Sequence, residues 1–335
     1  MTDNTTTKSS YSYSPSRVIV FSIVSTILLS SLFGLTIQTF GTENNQIRDN
    51  EWEQIEIVTT VFPIYDFVTH VGGERTHVTM LMPQGINVHN FDFTPEIIMK
   101  IMASDLLIYN GAGLEPGIIS LQFLQNEGLA DLDNTILVDT STAVNVFSYI
   151  HFGDGSAYSL RDPHIWLNPE NAIAQINLIR DTLVSVDPEH EEYYNKNAND
   201  YISQIQELDQ EFQSVFSQCS SKKFITVLPA YGYLAHHYGL EQISIVSYDY
   251  REPQPEDIIK ILDIIKENNV DVIYDVPSSD KRIAQNIISE MGIGTVVDLD
   301  HIEFISTDDF TSGKNYLQIM QNNLSNLEKG LFCNP

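Results

Sequence analysis

The stretch DPEHEEYYNKNANDYISQIQELDQEFQSVFS, residues 187–217, decides how the rest of the chain is read. Tyr194, Ala198, Tyr201, Ile202, Ile205, Leu208, Phe212, Val215 and Phe216 recur at i, i+3 or i+4, the spacing that lines one face of an α-helix. After Asp187-Pro188 nothing breaks the pattern. A helix of about 30 residues rises roughly 45 Å, long enough to run the length of a domain. Its other face is highly polar, so it is expected on the surface rather than threaded through a core.

On both sides of this helix, strand and helix signals alternate. Before it, strands are read at 56–62, 78–82, 106–109 and 135–138, with helices at 64–71 and 95–103. After it, strands at 224–228, 243–246, 272–274 and 295–299 alternate with helices at 231–238, 255–268, 281–291 and 315–330. Such alternation argues for parallel sheets covered on both faces. The expected fold is α/β: two lobes, each a mainly parallel sheet flanked by helices, bridged by one long helix. The lobes are placed at 55–186 and 219–335, with the bridging helix at 187–218.

Residues 18–40 carry no charge and are numerous enough to cross a bilayer as a helix. Lys8 and Arg17 precede them and the next positive charge is Arg48, which keeps the amino terminus in the cytosol. No Ala-x-Ala site follows, and the first cysteine is Cys219, so an uncleaved signal anchor is favoured over a cleaved signal peptide. Residues 1–17 then form a disordered cytosolic tail and 41–54 a linker. Everything beyond is expected on the extracytoplasmic side of the cell membrane, held by a single pass.

With 17 Lys+Arg against 45 Asp+Glu, the formal net charge is -28. That excess disfavours nucleic acid and anionic membrane surfaces as partners by repulsion. The two cysteines, Cys219 and Cys333, permit one disulfide outside the cell; two free buried thiols are the alternative.

Two turns carry the chemistry. Gly85-Ile-Asn-Val-His89-Asn-Phe-Asp-Phe-Thr-Pro95 and Arg161-Asp-Pro-His164-Ile-Trp-Leu-Asn-Pro169 each place one histidine in a turn just before a helical segment. Imidazole is the commonest protein ligand for a transition metal, and turn chemistry can aim one ring nitrogen outward. A single loop histidine is usually only solvated. Two in such contexts look like two sides of one ion site.

From Glu56 to Leu331 the chain resembles the metal-binding solute receptors of zinc/manganese ABC importers, the class joined by a single backbone helix. The resemblance is carried by residues 61–66 (VFPIYD), 82–95 (MPQGINVHNFDFTP), 109–116 (YNGAGLEP), 162–169 (DPHIWLNP), 231–235 (YGYLA) and 252–255 (EPQP), in the family's order and spacing. It implies that His89 and His164 are the first two metal ligands and that Asp300, in the segment Val297-Asp-Leu-Asp-His301, is the carboxylate ligand. The family's third ligand, a His or Glu after the strand that opens the second lobe, falls on Leu228, which cannot donate an electron pair. Water, His301 or His151 could take that place. The ligand expected is a divalent transition metal, Zn(II) before Mn(II) because both first-lobe ligands are nitrogen.

The function implied is an extracytoplasmic solute-binding component that captures the ion in the cleft between lobes and delivers it to a membrane permease. No Gly-x-x-x-x-Gly-Lys-Ser/Thr occurs, so the ABC permease and ATP-binding subunits are expected as separate chains, and the receptor itself as a monomer. An enzyme is not expected, because no His-Glu-x-x-His is present. The alternative is an adhesin or chaperone-like descendant that kept the fold and lost the metal, with Leu228 as its best support.

Overall fold

The computed structural model describes residues 54–82, 88–153, 156–247, 254–268, 270–292 and 294–333. They all belong to one compact unit, Asn50–Pro335. The expected tail at 1–17 and span at 18–40 lie outside the described residues. Among the described residues no helix is long and apolar enough to cross a membrane.

Strand β1 (Ile55–Thr59) runs into helix α1 (Phe62–Gly72), followed by β2 (Thr76–Met80), α2 (Pro95–Met102), β3 (Leu106–Tyr109), α3 (Pro116–Asn126) and β4 (Ile136–Asp139). The four strands are parallel in the order β2-β1-β3-β4, with Ile57 facing Val78 on one side and Leu106 on the other. Pro63 sits at the start of α1, where its missing N–H costs nothing. The first strand is therefore shorter than its β-branched run suggests. α2 begins at Pro95, with the Thr94 hydroxyl accepting from Ile97 N–H.

An antiparallel hairpin of β5 (Ser148–Gly153) and β6 (Ser156–Arg161) comes next, then α4 (Pro169–Val186) and the long α5 (Glu191–Ser217). The hairpin and α3 are additions to the sequence reading, whereas α4 is the helical segment expected after the His164 turn. α3 hid because its apolar residues do not share one face: Ile118 and Leu121 are buried, whereas Ile119 and Phe123 are exposed.

The second sheet repeats the first. β7 (Lys223–Thr226), α6 (Gly232–His237), β8 (Glu241–Ser244), α7 (Pro255–Asn268), β9 (Val272–Asp275), α8 (Arg282–Met291) and β10 (Thr295–Asp298) give the parallel order β10-β9-β7-β8. Read from its other edge, this is again second-first-third-fourth. The expected strand at 243–246 starts two residues earlier, and pairing continues past its end where Ile245 and Val246 amides donate to the Thr226 and Val227 carbonyls. α9 (Thr307–Thr311) and α10 (Tyr316–Leu331) close the chain, the latter opened by a reciprocal cap between Asn315 and Gln318.

α5 buries Tyr194, Ala198, Tyr201, Ile205, Leu208, Phe212 and Phe216. Its first half is held by α1: Tyr201 donates to Asp66 (2.5 Å) and Asn197 to the Val71 carbonyl (3.1 Å). Its second half is held by the later elements, where His237 and Tyr238 both bond Asp209 and Gln321 donates to Glu211. One apolar cluster runs continuously from Tyr201 through Phe67 to Tyr316, so the bridge is part of the core and not a loose strap. Removing the Phe212 ring from it costs about 3–5 kcal/mol. Cys219, just past α5, is joined to Cys333 after α10.

Candidate metal centre

In sheets of this order, ligands collect beyond the carboxyl ends of the strands, where the connections diverge. Three side chains meet there. His89 sits in a short 3-10 turn (Val88–Asn90) downstream of β2, and His164 in the turn between β6 and the 3-10 turn Ile165–Leu167. Glu303 lies in the loop after β10. Glu303 Oε1 is 3.1 Å from His89 Nε2 and 2.9 Å from His164 Nε2. One ligand atom from each of the three lies within 4.8 Å of the other two, a grouping able to hold a metal ion. The two rings stand 5.8 Å apart between centroids.

The turn of His164 is braced from below. Asp162 Oδ1 accepts both the backbone N–H of His164 (3.0 Å) and its Nδ1–H (2.8 Å), which aims Nε2 at the shared carboxylate. Asn110 donates to the Pro163 carbonyl (2.9 Å), and Tyr233 to that of Asp162 (2.9 Å). Asn110 is itself held by Glu115, whose carboxylate accepts from the Asn110 and Gly111 amides and the Thr60 hydroxyl. Gly111 has φ +81° and a Cβ there would meet Asp139 Oδ1 at 1.8 Å, so only glycine closes this loop. Burial, opposed by those three donors, pushes the Glu115 carboxyl up to about 7.

The Glu303 loop is held from the opposite sheet. Phe62 N–H donates to the Glu303 carbonyl (3.2 Å), and Trp166 Nε1–H to the His301 carbonyl (2.8 Å). Within the loop, the Asp300 amide and carbonyl are gripped by Asn323 (2.8 and 2.7 Å), and Asp300 Oδ1 accepts from Ile302 N–H (2.8 Å).

The charges are interlocked. Burial alone would strip the proton from His164, but the hydrogen bonds and charges of Asp162 and Glu303 outweigh it and its pKa is pushed up to about 9. Burial likewise works against an ionised Glu303, yet the charge of His301 and the bonds from His164 and His89 hold its carboxyl well below the usual range. His301 moves the other way, its pKa lowered by burial against the pull of Glu303 and Asp300.

The two expected histidines thus come together. Asp300 does not join them: its carboxylate folds back onto the Ile302 amide, and Glu303, three residues on, faces the rings. No pattern marked Glu303, because Asp298, Asp300 and Glu303 crowd one turn and strand alternation stops at Asp298. Leu228 packs with the apolar cluster of the second sheet. His151 pairs with Tyr158 in the hairpin; its side chain is outside the described residues.

A family model described as zinc-uptake complex component A, periplasmic, matches residues 57–330. The high-affinity zinc uptake system protein ZnuA of Bacillus subtilis is 30% identical over 312 residues, covering 91% of this chain and 96% of its own. The zinc-binding lipoprotein AdcA of Streptococcus pneumoniae is 29% identical over 308 residues, 90% of this chain; the chain spans only 60% of that protein's length. The laminin-binding adhesin Lmb of Streptococcus agalactiae superposes with a TM-score of 0.72 at 26% identity, over 83% of this chain and 99% of its own. The chain belongs to the zinc-uptake component A family, a family of metal-binding solute receptors and not of enzymes.

Proposed function

We propose that this protein is the extracytoplasmic receptor of an ABC importer, capturing Zn(II) in preference to Mn(II) between its two sheets. His89 and His164 supply nitrogen from the first lobe and Glu303 supplies oxygen from the second. The observation that carries this reading is the single carboxylate oxygen facing two imidazole nitrogens across the cleft. Two nitrogens and one oxygen suit zinc better than manganese, which favours oxygen sets. Because ligands come from both lobes, binding and closure are one event, and the closed shape is what a permease reads. The permease and the ATPase are separate chains, and residues 18–40 tether the monomeric receptor to the membrane.

Metal analysis of the full chain, purified in detergent, tests this. One zinc per chain, lost in His89→Ala and His164→Ala, is the expected result. Zinc at background in the unaltered chain sinks the reading. A second reading, an adhesin without need of metal, is favoured by the similarity to Lmb and by Leu228. It requires undiminished binding to an extracellular matrix protein after chelation.

A further inference from the structure

Two imidazoles and one carboxylate leave a tetrahedral ion one ligand short. Leu228 cannot complete it, and its side chain lies in the apolar cluster of the second sheet. Another ring is buried against the same carboxylate. His301 Nε2 is 3.9 Å from Glu303 Oε2, and its ring stands 6.4 Å from that of His164 at an interplanar angle of 25°. We infer that His301 is the fourth ligand: the loop after β10 supplies both the carboxylate and the third imidazole, replacing a donor at Leu228. This inference rests on the metal-receptor reading above.

The backbone of that loop is built for two ligands. Ile302, between them, has φ +64°, a left-handed conformation that a β-branched residue adopts only under strain. Three contacts hold it there: Asp300 Oδ1 on the Ile302 amide, Asn323 on both backbone groups of Asp300, and Trp166 on the His301 carbonyl. Strain maintained from several sides beside a binding cleft points to function.

The ring can reach. The contact on its Nδ1, from the Glu303 amide, is 3.4 Å long and is given up when Nε2 takes the ion and the ring proton moves to Nδ1. A cavity of about 220 Å³ lined by Asp300, His301, Phe304 and Asp309 opens beside the ring and gives it room to turn. Three nitrogens and one oxygen then make a closed tetrahedral set, which strengthens the preference for zinc over manganese.

X-ray absorption at the zinc edge, on the full chain in detergent with one equivalent of zinc, reads the number of imidazoles directly. Three in the unaltered chain and two in His301→Ala are expected. Zinc affinity of His301→Ala, measured by chelator competition, is expected to fall by more than the roughly 10–100-fold that loss of a supporting residue costs. Two imidazoles in the unaltered chain, or three persisting in His301→Ala, overturn the assignment while leaving the receptor reading intact. No zinc in the unaltered chain overturns both. The count in the unaltered chain does not depend on how any variant folds.

Discussion

The indole of Trp166, carried by the first sheet's side of the cleft, donates its Nε1–H to the backbone carbonyl of His301 on the other side, at 2.8 Å. Both residues are buried. This bond couples the turn bearing His164 to the loop bearing Glu303. Trp166→Phe keeps most of the volume and removes the donor, leaving a buried carbonyl unmatched. A loss of about 1–3 kcal/mol in urea unfolding is expected, together with weaker zinc binding. Unchanged values for both would show that the two sides are positioned independently.

Glu303→Gln preserves the shape of the side chain and removes its charge. Zinc affinity is expected to fall by more than about 100-fold, beyond the range of a supporting residue. Asp300→Asn retains an oxygen for the Ile302 amide and is expected to bind zinc nearly as well as the unaltered chain. Chelator competition on the two variants side by side decides which acid holds the ion. The reverse ranking would restore Asp300.

Asp162→Asn tests the orientation of His164. An amide facing Nδ1 can donate to it, which favours the tautomer with hydrogen on Nε2, the wrong nitrogen for a metal. Zinc binding about 10–100-fold weaker is expected, with the fold retained by circular dichroism. Unaltered affinity would mean that the ring is aimed by its packing alone.

Under the proposed binding mode zinc displaces a proton from His164, whose pKa is pushed up to about 9 by Asp162 and Glu303 against burial. Apparent affinity is expected to drop by up to about tenfold per unit as pH falls below that value. Titration calorimetry in two buffers of different ionisation enthalpy counts the protons released; zero release at pH 7 would refute the coupling. The metal-free protein follows a related rule. His164 has a folded pKa above the ordinary 6.5, so its contribution is complete below 6.5 and is lost as pH rises through 9. Glu303 has a lowered pKa, so its contribution is present above 4.5 and lost in stronger acid. Maximum stability without metal is therefore expected between about 4.5 and 6.5, read from urea midpoints across pH.

Cys219 and Cys333 close a loop spanning 114 positions. Replacing both with serine is expected to cost about 5 kcal/mol in unfolding free energy through the freed chain entropy. Equal stability with and without reductant would show that the link does not constrain the unfolded chain.

Much of the frame was legible along the chain. The 3.6-residue stripe from Tyr194 to Phe216 is the buried face of α5, and the β-branched runs are the central strands of two parallel sheets. Periodicity reports burial, and these segments are buried by their own pattern. α3 was missed because its apolar residues are split between a buried face, Ile118 and Leu121, and an exposed one, Ile119 and Phe123. The antiparallel hairpin of β5 and β6 lay outside the sequence reading as well.

The residues of the centre divide in the same way. His89 and His164 could be singled out because turn chemistry, a local property, surrounds each of them; their meeting over one oxygen of Glu303 could not. Strand alternation ends at Asp298, and beyond it the direction of each side chain depends on Tyr231, Asn323 and Trp166, which hold the backbone of residues 299–301 from remote parts of the chain. Local order thus determined the strands of the two parallel sheets, the long helix between them and two of the rings that meet. Which acid faces those rings, and which third ring lies beside it, was decided by long-range hydrogen bonds that no sequence spacing encodes.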